Sequence, residues 1–408
     1  MRKLFFFILF AFSFIIGRLD AQELDFEGQD YSKYEQDYLL EGLAYKGYEI
    51  VNVENYGVQS FIDDRAYDNK DLVGNYNFSV VKKYSKGYPS KPAGIRLNWN
   101  SDTPIENISK VVVKLFESNI EEDDNILDFI TDDENIKLYY PDVNNRQYLL
   151  CNMSPHKYYY YKIEEIDNTG QTKILKKGKF YTHGLVRMLR VDGMVNVRDF
   201  GGWPTSFGMP VEYGRIFRGN RPEGITPTGK NDFVRNEHIT ADLDLRGNNL
   251  GKSPLGPNDK VEYYCTNNQR YKLALVGQSG RGALAKDIKI IADVLSRGGN
   301  VFLHCNHGAN RAGTLAFLIQ GILGLSEADL SREYELSSFA YGLSRNKALG
   351  EMLPEIRSYG RNGDDLAQCF YNFARSIGVE EKTLDTIRCV MLGFDMEDMQ
   401  IKNAHKYK

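Results

Sequence analysis

Val301-Phe302-Leu303-His304-Cys305-Asn306-His307-Gly308-Ala309-Asn310-Arg311-Ala312-Gly313-Thr314 is the stretch on which the reading of this chain turns. An apolar run ends in His-Cys, an Arg follows six residues after the Cys, and a helix-like pattern begins there. The spacing predicts a strand, a tight loop and a helix N-terminus, with a thiol where the loop starts and a guanidinium where it ends. That arrangement suits phosphate chemistry. The backbone N–H groups of Asn306, His307, Gly308, Ala309, Asn310 and Ala312 are expected to point inward and bind an oxyanion. The same positive field favours a thiolate at Cys305. Arg311 can hold two phosphate oxygens in a bidentate fork. Gly308 and Gly313 let the backbone curl and pass close to a ligand. The plain alternative is a buried structural cysteine with Arg311 as a surface charge. Five fixed positions in His-Cys-x-x-Gly-x-x-Arg-x-Gly and the strand–loop–helix setting count against it.

The loop resembles the signature of cysteine-dependent phosphatases. A second stretch narrows the resemblance. Val195-Asn196-Val197-Arg198-Asp199-Phe200-Gly201-Gly202 is followed by Tyr213-Gly214-Arg215-Ile216-Phe217-Arg218-Gly219, then Ile225-Thr226, then Leu243-Asp244-Leu245-Arg246. This order is similar to that of the bacterial tyrosine/phosphoinositide phosphatases, also called tyrosine phosphatase family 3. The similarity covers residues 189–392, about half of the chain. It implies a phosphatase of tyrosine or dual-specificity type, acting on a phosphorylated protein or peptide or on a phosphoinositide. Cys305 would attack phosphorus in line, water would hydrolyse the phosphocysteine, and Arg311 with the loop amides would neutralise the equatorial oxygens. No cofactor and no metal is expected, because the loop supplies the positive field.

The general acid is where the pattern breaks. The family usually has Lys-Asp immediately before the signature Arg, and here those positions are Ala309 and Asn310. Asn310 can donate a hydrogen bond but cannot transfer a proton at a useful pKa. The hydroxyl residue that usually follows the Arg is Ala312 here. Trp203-Pro204-Thr205 lacks a carboxylate and lies too early to supply one. Asp244, at the end of a neighbouring strand, is the remaining candidate acid, and Asp199 is second. Each can instead hold Arg246 or Arg198 structurally. His304 is expected either to fix Cys305 by a hydrogen bond or to fill the strand end. His307 reads as a loop-surface residue. Two further readings stay open: a phosphate-binding pseudophosphatase with an interaction module, and an inositol phosphate phosphatase, although few extra basic residues sit in the loop.

The ends and the composition set the setting. Residues 1–21 begin Met1-Arg2-Lys3, continue with an apolar core and end at Ala21, which predicts a secretory signal peptide and an exported, periplasmic or secreted, mature chain. An uncleaved anchor is the alternative, and no later stretch is apolar enough to span a bilayer. Loss of the leader removes three basic residues and one acidic one, taking the formal charge from −4 to −6. Nucleic acid is therefore not an expected partner. Five cysteines are too few for a disulfide scaffold, and Cys369 and Cys389 could pair after export.

The fold expected is multidomain: an all-β sandwich, then an α/β domain with a central, mainly parallel sheet. Residues 22–86 form an acidic, Tyr-rich segment of unassigned fold, with a strand possible at 48–53. Residues 87–185 alternate apolar and polar positions and resemble a fibronectin type III or immunoglobulin-like module. The run Tyr158-Tyr159-Tyr160-Tyr161 fits alternating core and surface positions better than a carbohydrate-binding face. From 186 to 408 strands and helices alternate, with helices expected over 283–295 and 311–323, strands over 240–245 and 300–304, and a mostly helical end. Residues 186–408 are expected to fold without the β part, as a unit with its own core.

Overall fold

The structure is a computed structural model that describes residues 39–45, 48–64, 83–84, 92–130, 135–256, 260–341 and 347–394. The expected leader at 1–21 and the acidic run Asp132-Asp133-Glu134 lie outside the described residues.

Strands β1 (Leu39–Tyr45), β2 (Tyr48–Asn52), β4 (Ile108–Ser118), β5 (Ile136–Tyr139), β7 (Tyr158–Asp167) and β8 (Thr172–His183) form a sheet in the order β1-β2-β8-β7-β4-β5. A second, two-stranded sheet pairs β3 (Ile95–Asn98) with β6 (Gln147–Leu150). Strand alternation selects the core between them. Val111, Val113 and Leu115 of β4 and Tyr159, Tyr161 and Ile163 of β7 pack with Ile95, Leu97 and Leu150. Tyr158 and Tyr160 turn to the opposite face and pack with Tyr48, Leu127 and Ile136. The Tyr48 and Tyr160 hydroxyls satisfy each other at 2.6 Å. All four consecutive tyrosines are buried, two on each face, so none offers a binding surface. Burying a side chain of this size is worth about 1.5–3 kcal/mol.

The C-terminal sheet runs β12 (Glu262–Cys265), β11 (Ile239–Asp244), β13 (Asn300–His304), β10 (Ile216–Gly219), β9 (Arg198–Asp199). Its strands are parallel except β9, which is antiparallel to β10. The expected strands at 240–245 and 300–304 are therefore present, the first shifted by one residue. Alternation again divides the side chains between two faces. Ile216, Leu243, Val301 and Leu303 pack under the helices, and Phe217, Ile239 and Phe302 meet Leu189, Val191 and Phe233 on the other side.

Helix α1 (Tyr56–Asp63) comes early in the chain; α2 (Gln278–Ser296), α3 (Arg311–Ile322), α4 (Glu327–Tyr341), α5 (Lys347–Arg357), α6 (Leu366–Ser376) and α7 (Glu381–Leu392) follow within the C-terminal part. Every residue of α3 after Arg311 is buried, so this helix is central and enclosed on all sides.

The cores of the two N-terminal β sheets lie wholly before residue 186, but the core of the C-terminal part also takes in residues from the segment that precedes residue 87. After β2, Glu54 accepts hydrogen bonds from the Leu185 and Val186 N–H groups at 3.0 and 2.6 Å. Asn55 caps α1 by accepting from the Val58 N–H at 3.0 Å. Val58 and Phe61, three residues apart on α1, then enter the same core as Leu315, Leu336 and Phe339. A second seam joins the parts at β5, an edge strand of its sheet. The Leu138 N–H donates to Asn236 Oδ1 at 3.1 Å, and the side-chain amides of Asn231 and Asn236 donate back to the Leu138 carbonyl at 2.6 and 3.0 Å. That covers part of an otherwise open edge. Beside it, Lys137 pairs with Glu237 at 3.1 Å, and Glu237 with Arg187 at 2.7 Å.

Candidate active site

β13 delivers Cys305 to the carboxyl end of the parallel sheet, beside the ends of β10 and β11, where ligands bind in such sheets. Cys305 is almost fully buried and belongs to the same core as Leu303, Ala312 and Leu315. His304 turns to the opposite face. Its ring stacks on Phe302 with centroids 5.4 Å apart, and its Nε2 lies 3.0 Å from Asp242 Oδ1. Asp242 also accepts from Ser253 Oγ at 2.6 Å. Of the two roles considered for His304, the geometry is that of a strand-end residue tied to Asp242.

The loop after Cys305 is held from outside by its carbonyls. The His304 carbonyl accepts from the Leu245 N–H at 3.0 Å, and the Asn306 carbonyl from the Arg221 N–H at 3.4 Å. The His307 carbonyl accepts from Asn196 Nδ2 at 2.9 Å and from the Tyr341 hydroxyl at 2.8 Å. Arg218 donates to the Gly308 carbonyl from Nε at 3.2 Å and from Nη2 at 2.7 Å, and from Nη2 to the Ala309 carbonyl at 3.4 Å. The Asn310 carbonyl takes the Thr314 N–H and Oγ1 at 2.8 and 3.0 Å. A trans peptide is planar, so a carbonyl turned outward turns the next residue's N–H inward. The amides of His307, Gly308, Ala309 and Asn310 consequently face the concave side.

Two glycines make this curl possible. Gly308 has φ +67°, and a Cβ there would sit 2.3 Å from the Gly219 carbonyl. A Cβ at Gly313 would approach Arg218 Nη2 to 2.9 Å, closing the path by which that guanidinium reaches the loop.

Arg311 opens α3 and is half-buried. Among the described residues no carboxylate pairs with it. Arg187, Arg198, Arg218 and Arg246 are all paired with acids. Arg198 donates to Glu333 Oε1 at 2.7 Å and to Asn196 Oδ1 at 2.6 Å, and Arg218 donates to Glu333 Oε2 at 2.8 Å. Burial and the adjacent Arg198 pull Arg218 down to about 10, while Glu333, Tyr334 and Cys305 oppose that shift. It remains a cation at neutral pH.

Residues 189–390 match the sequence model of the tyrosine phosphatase family. This part of the chain is a tyrosine phosphatase family domain. No curated protein matches the chain. The phosphatase domain thus carries the Cys–Arg loop at the mouth of its parallel sheet.

The structure also locates the two carboxylates considered as acids. Asp244 is fully buried at the end of β11. Its Oδ1 accepts from the Arg246 N–H at 2.9 Å and from Nε at 2.8 Å, and its Oδ2 accepts from Arg246 Nη2 at 2.8 Å and from the Tyr263 hydroxyl at 3.0 Å. Burial pushes its carboxyl up, but Arg246 and His304 outweigh that and hold it below the ordinary Asp value. Arg246 reaches on to Glu223 Oε1 at 2.6 Å. Asp199 pairs with Phe217, which pairs with Phe302, so it lies three residues short of Cys305 along the sheet. Arg187 and the Gly201 and Gly214 N–H groups occupy its oxygens. Trp203 is a core residue beside the Val211 turn.

Asn196 and Arg218 stand within the sequence motifs, but nothing in the motifs marks a task for them. Glu333, Ser337 and Tyr341 carried no signal, because they come from a helix of mixed composition and meet the loop only in three dimensions. Cys369 and Cys389 are both buried and are not joined to each other by a disulfide. Among the described residues no helix is long and apolar enough to cross a membrane, and no cluster has the makings of a metal site.

Proposed function

We propose that this protein is an exported phosphatase of the tyrosine or dual-specificity type, hydrolysing phosphate monoesters through a phosphocysteine on Cys305. The observation that carries the reading is the outward bonding of the loop carbonyls, which aims successive amides at the space between Cys305 and Arg311. Those amides fit the three equatorial oxygens, and Arg311, which pairs with no carboxylate among the described residues, fits two of them as a fork. Cys305 donates its electron pair to phosphorus, the ester oxygen leaves, and water then displaces the thiolate. Asp244 enters as the anchor of Arg246, not as the proton donor. With Asn310 at the position next to the Arg, the leaving oxygen gets a hydrogen bond but no proton. Aryl phosphates, whose leaving groups depart without one, are therefore the favoured substrates, phosphotyrosine above phosphoserine or a phosphoinositide.

The β module adds the sheet order β8-β7-β4-β5 facing β3-β6, which supports a fibronectin type III or immunoglobulin-like relationship. The leader read in residues 1–21 is the ground for export.

The test is hydrolysis of p-nitrophenyl phosphate by the full chain in EDTA, with vanadate as inhibitor. Cys305→Ser is expected to abolish turnover while phosphate-ester binding persists. Activity that disappears in EDTA and returns with a divalent cation would reject the cysteine route. Binding without turnover in the unmodified chain would identify a pseudophosphatase.

A further inference from the structure

Helix α4 spaces Glu333, Ser337 and Tyr341 four residues apart, which puts them on one stripe. Each touches the loop or a group that holds it. Tyr341 donates to the His307 carbonyl. Ser337 Oγ lies 3.3 Å from Asn196 Nδ2, which donates to that same carbonyl. Glu333 sits between two arginines that have no exposure to solvent. One of its oxygens takes Arg198 and the other takes Arg218.

We propose that Glu333 is a positioning residue for the phosphate-binding loop, acting through Arg218; this rests on the phosphatase reading above. Two buried guanidiniums side by side repel each other and need a shared counter-charge. Glu333 supplies it and fixes Arg218 in one rotation. The remaining edge of the fork, Nε and Nη2, then meets the Gly308 carbonyl squarely. That contact decides which way the Gly308–Ala309 peptide faces. Turned outward, its carbonyl leaves the Ala309 amide to the phosphate. If the peptide flipped, the phosphate would meet a carbonyl oxygen, and attraction would become repulsion. Gly308 has the left-handed φ at which such a peptide turns most freely, so the orientation needs an external hold.

The experiment uses the full chain and tungstate as a phosphate mimic, titrated calorimetrically, with circular dichroism to select temperatures at which each variant is folded. Glu333→Gln is expected to weaken tungstate binding at least tenfold in the folded protein and to raise KM for p-nitrophenyl phosphate as well as lower kcat. A carboxylate needed only for stability would lower Tm and leave tungstate affinity unchanged in the folded protein. Because Glu333→Gln leaves an extra buried positive charge, Arg218→Gln/Glu333→Gln is the companion. It restores the cluster's net charge and removes the hold on Gly308, and it is expected to fold and still bind at least tenfold more weakly. Wild-type tungstate affinity in either variant would overturn the assignment. Failure of the unmodified chain to bind tungstate would instead overturn the phosphatase reading, and this inference with it.

Discussion

The ring of Phe61 packs 5.1 Å from the ring of Phe339. Phe61 lies near the start of the described chain, and Phe339 lies on α4, the helix whose other residues hold the phosphate loop. Arg332 on the same helix donates to the Asp64 carbonyl at 3.3 Å. The phosphatase domain is therefore built on a segment that precedes most of the β module.

Phe61→Ala is expected to destabilise the protein by about 3–5 kcal/mol, the cost of a large aromatic removed from a closed core. Urea unfolding followed by fluorescence measures this. A protein restricted to residues 186–408 is expected to be insoluble or inactive for the same reason, since it leaves the sites of Val58 and Phe61 open. A soluble, active fragment would show that the helix α1 contact is dispensable.

Asn310→Asp is expected to accelerate hydrolysis of alkyl phosphates such as phosphoserine by ~10²-fold, because a carboxylic acid there can protonate the leaving oxygen. The rate on p-nitrophenyl phosphate, whose leaving group needs no proton, is expected to change little. Steady-state kcat on the two substrates decides. Equal change on both would mean that position 310 does not face the leaving group.

Asp244→Asn is expected to slow aryl and alkyl phosphates by the same factor. Its carboxylate carries Arg246 on both oxygens, so the loss is one of anchoring. A selective collapse of alkyl phosphate turnover would instead restore Asp244 as the proton donor.

Asp287 gives a pH signature. It is fully buried on α2, and burial pushes its carboxyl up to about 7 against the opposing pull of hydrogen bonds from Asn268 and Thr266. A carboxyl raised in the folded state binds protons that the unfolded chain has lost. Its contribution to stability is full below the unfolded value near 4 and is lost as pH rises through 7. Asp287→Asn is expected to flatten the fall in Tm between pH 5 and pH 8. Parallel Tm profiles for the two proteins would rule this assignment out.

The sequence by itself determined what depends on neighbours in the chain. The apolar run ending at His304, the glycines at 308 and 313 and the Arg at 311 specify a strand, a curl and a helix start, since each is set by local dihedrals and by alternation. Alternation likewise marks strands over 158–166 and 174–181, which fall within β7 and β8. That the loop amides should face a ligand was legible too; what holds them there was not, because the donors lie 34 to 111 residues away. Arg218, Asn196 and Tyr341 select the carbonyl directions only after the sheet and α4 have brought them together. For Asp244 the Leu-Asp-Leu-Arg motif left two roles open, acid or anchor of Arg246, and the fold shows Arg246, two residues on, closed around both its oxygens. The joining of Val58 and Phe61 to the distant core was likewise invisible, since burial of an amphipathic helix is decided by whichever apolar face the rest of the chain leaves open to it.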